Sequence, residues 1–240
     1  MTRFFVEPGE LARESICLTG ENAQHAKVLR LREGEQVLVC DGMGQEAVCR
    51  VENADFDLTV LERRACLTEA KVRVSVYMAF PKGDKLEHVI QKATELGVYE
   101  IVAFPSARCV SKPDEKSLRK KLERWQKIAA SAAEQSGRGR IPRVVILPSF
   151  AEALNRGAQT DLPMLFYENE RATTLHMALT SGQWKSAALL TGPEGGLEEK
   201  EVEKAMAAGW KVGTLGRRIL RCETAPLCAL SAVMYAAGEF

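Results

Sequence analysis

Apolar residues recur along this chain with two rhythms, and the change falls near residue 70. In the first stretch the apolar runs are short and broken by turn residues. Gln36–Cys40 leads into Asp41-Gly42-Met43-Gly44, Glu46–Val51 follows, and Leu58–Leu61 comes next. Short runs with this punctuation predict a small β-barrel, interrupted by one helix over Thr19–Leu31. Beyond Thr68–Lys71 strands and helices alternate. Val72–Phe80, Glu100–Phe104, Val144–Leu147, Met164–Phe166, Ala187–Leu190 and Lys211–Leu215 read as buried strands. Between the first two, Leu86, Val89, Ile90, Ala93 and Leu96 keep a helical spacing, with Asp84 and Glu87 as a capping box and Gly97 as the stop. A long helix over Asp114–Gln135 presents Leu118, Leu122, Trp125, Ile128, Ala129 and Ala132 on one face. Short helical stretches follow the strands at Val144 and Met164, and a helix over Leu197–Ala208 carries Glu198, Glu199 and Glu201 in its first turn. The last helix, Ala225–Ala237, with Thr224 as its cap, is apolar nearly all round. That predicts an interface between subunits. Alternation of this kind predicts a parallel sheet with helices on both faces.

Composition narrows the class. The chain has 240 residues, 46% hydrophobic and 27% charged, which excludes a disordered or fibrous protein. No apolar run reaches the roughly 18 residues that a spanning helix needs, and the start does not read as a signal peptide. Seven cysteines without a Cys-x-x-Cys pair point to reduced thiols in a cytoplasm. His25, His88 and His176 are scattered, so no metal is expected.

The net charge of +1 hides a gradient. Residues 1–70 hold 8 basic and 13 acidic residues, a net of −5, whereas Arg108 to Arg143 hold 11 and 4, a net of +7. That stretch includes Lys112, Lys116, Arg119, Lys120, Lys121, Arg124, Lys127, Arg138 and Arg140. A focused basic segment on a neutral protein predicts a polyanion met at one surface, or else the solvated face of a charged helix.

Two loops stand out as sites. Thr191-Gly-Pro-Glu-Gly-Gly196 joins a buried strand to a helix, where glycines admit a ligand and the helix terminus supplies donors. It matches neither a P-loop nor a dinucleotide fingerprint, and a tight strand–helix turn needs glycine in any case. Leu215 to Ala225 encloses Ile219-Leu220 between Arg217, Arg218 and Arg221, ahead of the last helix.

Lys82-Gly-Asp-Lys-Leu-Glu87, Ile90–Gly97, Glu134-Gln-Ser-Gly-Arg138, Gly192–Gly196 and Leu215–Arg221 with Glu223-Thr-Ala225 occur in this order. Together with Arg3-Phe4-Phe5 and His25 through Arg30, this series resembles the RsmE family of 16S ribosomal RNA uracil N3-methyltransferases, of the SPOUT superfamily. The resemblance spans essentially the whole chain. It implies an N-terminal PUA-like β-barrel over residues 1–70 and a C-terminal SPOUT α/β domain over 71–240 with a deep trefoil knot. It also implies a homodimer, S-adenosyl-L-methionine as methyl donor, and small-subunit ribosomal RNA as substrate, as an assembled particle. Carried over by motif, the cofactor pocket comprises Phe166, Tyr167, Leu190, Thr191, Gly192, Pro193, Glu194, Gly195, Gly196, Leu215, Gly216, Ile219 and Leu220.

Uracil N3 carries a proton and needs a base, or a cation that stabilises its anion. Arg221 and Glu223 are the first candidates, with Arg138. Lys92, Glu95, Glu134 and Gln135 join Arg138 as a group that holds the nucleotide. The expected RNA contacts are Arg3, Lys27, Arg30, Lys82, Lys92, Lys120, Lys121, Arg124 and Arg140. The acidic first domain departs from expectation for RNA binding, and its Arg3, Lys27, Arg30 and Arg32 would have to form a local patch. Cys222 lies beside the cofactor loop, but attack by N3 needs no cysteine nucleophile. Two other readings remain, a SPOUT ribose 2′-O-methyltransferase and a non-catalytic RNA-binding assembly factor. Ile90-Gln-Lys92, which lacks the arginine typical of the first, and the intact glycine loop count against them.

Overall fold

The computed structural model describes residues 1–111, 113–180 and 182–240, so Lys112 of the basic segment lies outside the described residues. The chain divides into two units, Met1–Glu69 with Ala133–Ile141, and Ala70–Ala132 with Pro142–Phe240. Residues 133–141 thus belong to the first unit, although the chain on either side of them builds the second.

The first unit is a five-stranded sheet in the order β1-β3-β4-β5-β2. Its strands are β1 (Arg3–Phe5), β2 (Ser15–Cys17), β3 (Gln36–Cys40), β4 (Gln45–Val51) and β5 (Asp57–Ala65), with helix α1 (Gly20–Val28) after β2. The meander β3-β4-β5 is the part that the sequence pattern predicts. β1 and β2 are three residues each, too short to show a period, and they form the two edges. The ladder is therefore a half-barrel, with a register shift at Val48/Cys49 that bends β4 against β5. Phe4, Val37, Val39, Ala47, Cys49, Val51 and Leu58 fill its concave side.

Arg3, next to Phe4 in β1, points to the opposite face of the sheet and is 9% exposed there, with Nη1 2.9 Å from Glu46 Oε2 and 2.8 Å from Cys40 Sγ. Glu46 also accepts from Arg64 at 2.9 Å. Arg3, expected to contact RNA, is thus engaged by Glu46, as a buried cation requires a buried anion.

The second unit is a six-stranded, all-parallel sheet in the order β11-β9-β10-β6-β7-β8. Its strands are β6 (Arg73–Ala79), β7 (Glu100–Phe104), β8 (Arg143–Ile146), β9 (Leu162–Phe166), β10 (Ser186–Thr191) and β11 (Lys211–Gly213). Its helices are α2 (Lys85–Glu95), α3 (Glu115–Gln135), α4 (Phe150–Gly157), α5 (Leu175–Thr180), α6 (Glu199–Ala207) and α7 (Thr224–Ala236). β6, β7, β9 and β10 are buried along nearly their full length because helices cover the sheet, so they read as continuous apolar runs. Register places Thr191 beside Met78 and Ala79 beside Phe104. The loops after β10, β6 and β7 consequently leave the sheet side by side.

α2 ends where Gly97 takes φ +89, with Val98 N–H returning to the Ala93 carbonyl at 3.0 Å. Its expected capping box does not form. Asp84 makes no cap bond, and Glu87 instead accepts from Arg124 at 2.6 Å. An acidic residue in a first turn closes a box only when no stronger cationic partner competes. Thr224 likewise does not cap α7 but lies inside it, after Glu223. α7 packs on α2, β6 and β10, and Leu230, Val233 and Met234 are buried within this one chain. The apolar surface expected all round that helix is smaller than its composition implied. Tyr235 is 75% exposed on it and Cys228 is also exposed.

Candidate active site

A cleft of about 450 Å³ opens at the carboxyl edge of the parallel sheet. Three chain segments wall it: the end of β9 with Glu168, the glycine-rich loop after β10, and the loop from Thr214 to the start of α7. Phe166, Tyr167, Thr191 to Gly196, Leu215, Gly216, Ile219 and Leu220 all line it. Leu190 does not. Its side chain is fully buried in β10.

Glycine is required here for steric reasons. A Cβ on Gly196 would run into the Glu168 carboxylate, and the residue has φ +69. At Gly192 a Cβ would meet the Gly196 carbonyl carbon at 3.0 Å. The loop is braced from outside by Arg108, which donates to the Gly195 carbonyl at 3.0 Å. Behind it, Glu201 accepts from Glu198 N–H and Ala107 N–H, both at 2.9 Å, and so ties the loop after β7 to α6. Thr191 is 2% exposed, and its Oγ1 is the buried side-chain oxygen without a hydrogen-bond partner among the described residues. A buried hydroxyl in that state has given up its solvation and gained nothing, which marks it as a group awaiting a ligand.

On the opposite rim stand Lys85, Arg218, Arg221, Cys222 and Glu223. Lys85 Nζ lies 2.8 Å from Glu194 Oε1 and 3.7 Å from Glu223 Oε2. Glu194 Oε1 also accepts from Lys82 N–H at 3.0 Å. The Cys222 thiol donates to Glu223 Oε2 at 3.3 Å, and burial pushes its pKa up to about 12. It is a neutral thiol, unsuited to nucleophilic attack. The hydrogen bond from its own backbone N–H holds the Glu223 carboxyl below the ordinary range, despite some burial, with help from Cys222, Lys85 and Arg221. Lys85 is held above its ordinary range by its bond to Glu194.

Arg221 and Glu223, expected beside the cofactor loop, line this cleft, and so do Lys85, Glu168 and Thr214, to which the sequence pattern assigns no role. Lys85 sits inside the Lys82–Glu87 motif, 109 residues before Glu194, so no local pattern links the two. Glu168 directly follows Tyr167, one position beyond the strand end that the motif comparison reached.

The remaining expected residues separate. Arg138 is 4% exposed and bonded to Glu69 at 2.8 Å, while Glu69 also accepts from Gly139 and Arg140 N–H at 3.0 Å each. The Arg138 guanidinium, expected to take part in catalysis, is held by this carboxylate. Glu134 pairs with His25 Nδ1 at 3.0 Å, and Lys92 pairs with Glu95 at 2.8 Å. Gln135 is exposed at the end of α3. Arg140 donates to the Met43 carbonyl at 2.7 Å. Lys27, Arg30, Arg32, Lys82, Lys120 and Arg124 are exposed and Lys121 is half-buried; of these, Arg124 is paired with Glu87. Among the described residues no group of three or more His, Cys, Asp and Glu could hold a metal ion, and no helix is long and apolar enough to cross a membrane.

A glycine-lined cleft at the carboxyl edge of a parallel sheet would fit many α/β enzymes, but the match to known families is specific. Residues 68–234 match the RNA methyltransferase domain and residues 18–60 the RNA methyltransferase PUA domain. The chain is 40% identical to the ribosomal RNA small subunit methyltransferase E of Bacillus subtilis, over 98% of this chain and 96% of that one. It is 35% identical to the Mycobacterium bovis protein of the same name, over 89% and 84%. The crystal structure of a ribosomal RNA small subunit methyltransferase E from Neisseria gonorrhoeae, bound to S-adenosyl methionine, superposes with a TM-score of 0.85 at 33% identity, covering 98% and 97% of the two chains. The chain belongs to the ribosomal RNA small subunit methyltransferase E family.

Proposed function

We propose that this protein transfers a methyl group from S-adenosyl-L-methionine to N3 of a uridine in small-subunit ribosomal RNA. The observation that carries the reading is the cleft itself, with the unpartnered Thr191 hydroxyl behind a closely packed glycine loop whose Gly196 adopts a left-handed φ. These residues fit the donor. Leu215, Ile219 and Leu220 offer apolar walls for a flat purine, and Gly192, Gly195 and Gly196 let backbone groups approach it. Thr191 supplies a buried hydroxyl, and Glu168 and Glu194 supply carboxylates for the positive end of an amino-acid tail.

When bound, the donor supplies a methyl group already activated on sulfur. The protein then has two tasks. It must hold the acceptor base in line, and it must take the N3 proton so that the ring nitrogen has a free electron pair. Glu223 is the carboxylate placed for the proton, and Arg221, exposed on the rim, faces the incoming RNA. The same reading places the cofactor loops in a trefoil knot and pairs two chains as a homodimer through the exposed side of α7, where Tyr235 stands. It also takes the assembled small subunit as substrate and the cytoplasm as the site of action, where the seven free cysteines stay reduced.

The test is methyl transfer to small ribosomal subunits, with the product nucleoside identified. N3-methyluridine is the expected product. A 2′-O-methylated nucleoside would replace this reading with ribose methylation, and no transfer together with no cofactor binding would leave an RNA-binding assembly factor.

A further inference from the structure

Resting on that reading, we propose that Lys85 is a catalytic residue which, paired with Glu223, recognises the O4/N3–H edge of the target uracil and stabilises the anion formed when N3 loses its proton. The two side chains stand 3.7 Å apart on the rim of the cleft, close enough to interact yet too far to hydrogen bond to each other. One end of the pair is a pure donor and the other, when ionised, a pure acceptor. Adjacent atoms on the edge of uracil present the complement, an O4 that accepts and an N3–H that donates. Cytosine presents the reverse, an N4 amino group that donates and an N3 that accepts, so the same pair would set donor against donor and acceptor against acceptor. A site built to hydrogen-bond one pattern rejects its opposite, because its polar groups would then face like against like.

The groups facing Lys85 come from two elements. Glu194 belongs to the glycine loop, while Cys222 and Glu223, with Arg221 beside them, lead into α7. Glu194 holds the ammonium at 2.8 Å and is itself fixed by Lys82 N–H, so Lys85 is kept at the cleft. Counting Lys85, Glu194 and Glu223 alone, the cluster carries one more negative than positive charge, and it can take up one proton without building up positive charge.

In the proposed step the N3–H bond breaks, the proton passes to a Glu223 carboxylate oxygen, and the electron pair stays on the ring, shared with O4 and O2. That pair forms the bond from N3 to the methyl carbon, while the electrons of the carbon–sulfur bond return to sulfur. The proton on Glu223 leaves to solvent. Lys85 is needed most when O4 is most negative, so it binds the transition state more tightly than the ground state.

The experiment compares wild type, Lys85→Met and Lys85→Arg in single-turnover methyl transfer to small subunits between neutral and alkaline pH. S-adenosylmethionine affinity is measured by calorimetry and folding by thermal melting. Lys85→Met is expected to slow the reaction about 10²–10³-fold, the usual cost of removing one such donor, with cofactor affinity within about threefold of wild type. Its residual rate should climb about tenfold per pH unit, because hydroxide must remove the N3 proton that the intact pair removes at neutral pH. Lys85→Arg, which keeps the charge in a different shape, should recover part of the rate. A Met variant with the wild-type rate and pH profile would overturn the proposal. So would one whose cofactor affinity falls in step with its rate, since Lys85 would then only brace the cleft. If wild type forms no N3-methyluridine, the functional reading beneath the proposal fails, and the wild-type product distinguishes that failure from the other two.

Discussion

At the scale of single residues, two buried groups carry opposite lessons. Thr191 Oγ1 is buried without a protein partner among the described residues. Thr191→Val should therefore leave the ligand-free protein as stable as wild type or more so, by up to about 1 kcal/mol. The same change should weaken S-adenosylmethionine binding, so the rise in melting temperature on adding cofactor should shrink. An undiminished cofactor-induced shift would show that the hydroxyl faces no ligand. Glu46 is the satisfied counterpart. Burial pushes its carboxyl up, but bonds from Arg64, Cys66 and Arg3 outweigh this and hold it below the ordinary glutamate range. A carboxyl lowered on folding contributes stability above its unfolded value and loses it as pH falls through the folded one. Glu46→Gln should thus cost about 3 kcal/mol at neutral pH by leaving Arg3 buried without its anion. The gap to wild type in denaturant melts should narrow as the solution is acidified below the usual glutamate range. A gap independent of pH would mean that the loss is one of packing.

At the scale of elements, α3 is the clearest case of a pattern with two outcomes. Its apolar stripe is buried through Trp125, Ala129 and Ala132, as the spacing requires. The other face offers Lys116, Lys120 and Lys127 to solvent, while Arg119 and Arg124 are engaged by Glu115 and Glu87. Replacing Lys120, Lys121 and Arg124 with alanine should lower RNA affinity and flatten its salt dependence, by up to about 1 in log–log slope for each phosphate no longer neutralised. Arg124, already paired with a carboxylate, should contribute least. Cofactor affinity should stay constant. An unaltered slope, measured by filter binding across a salt series, would reduce this face to a solvated helix.

For the whole molecule, the proposed homodimer concentrates on what a single chain leaves uncovered. Leu230, Val233 and Met234 are buried already, so a partner would have to cover Tyr235 and the neighbouring surface of α7. Sedimentation should give twice the 26.5 kDa chain mass at micromolar concentration. Tyr235→Glu should shift it to the monomer without unfolding it, because the side chain is 75% exposed. A wild-type monomer under those conditions would remove the dimer from the account.

Local pattern was enough for the strands and helices of the parallel sheet, for the meander of the first unit and for the glycine loop. Burial on a repeating backbone imposes a period, and tight turns demand particular residues, so both are written over a few consecutive positions. Which polar residues would meet was not written there. Arg3 finds Glu46 43 residues away, Arg138 finds Glu69 at a separation of 69, and Lys85 finds Glu194 at 109. In the sequence nothing local tells the three cations apart. Folding buries two of them against carboxylates and brings the third to the cleft, because a charge leaves water only for a partner, and only the tertiary structure decides which partner is near.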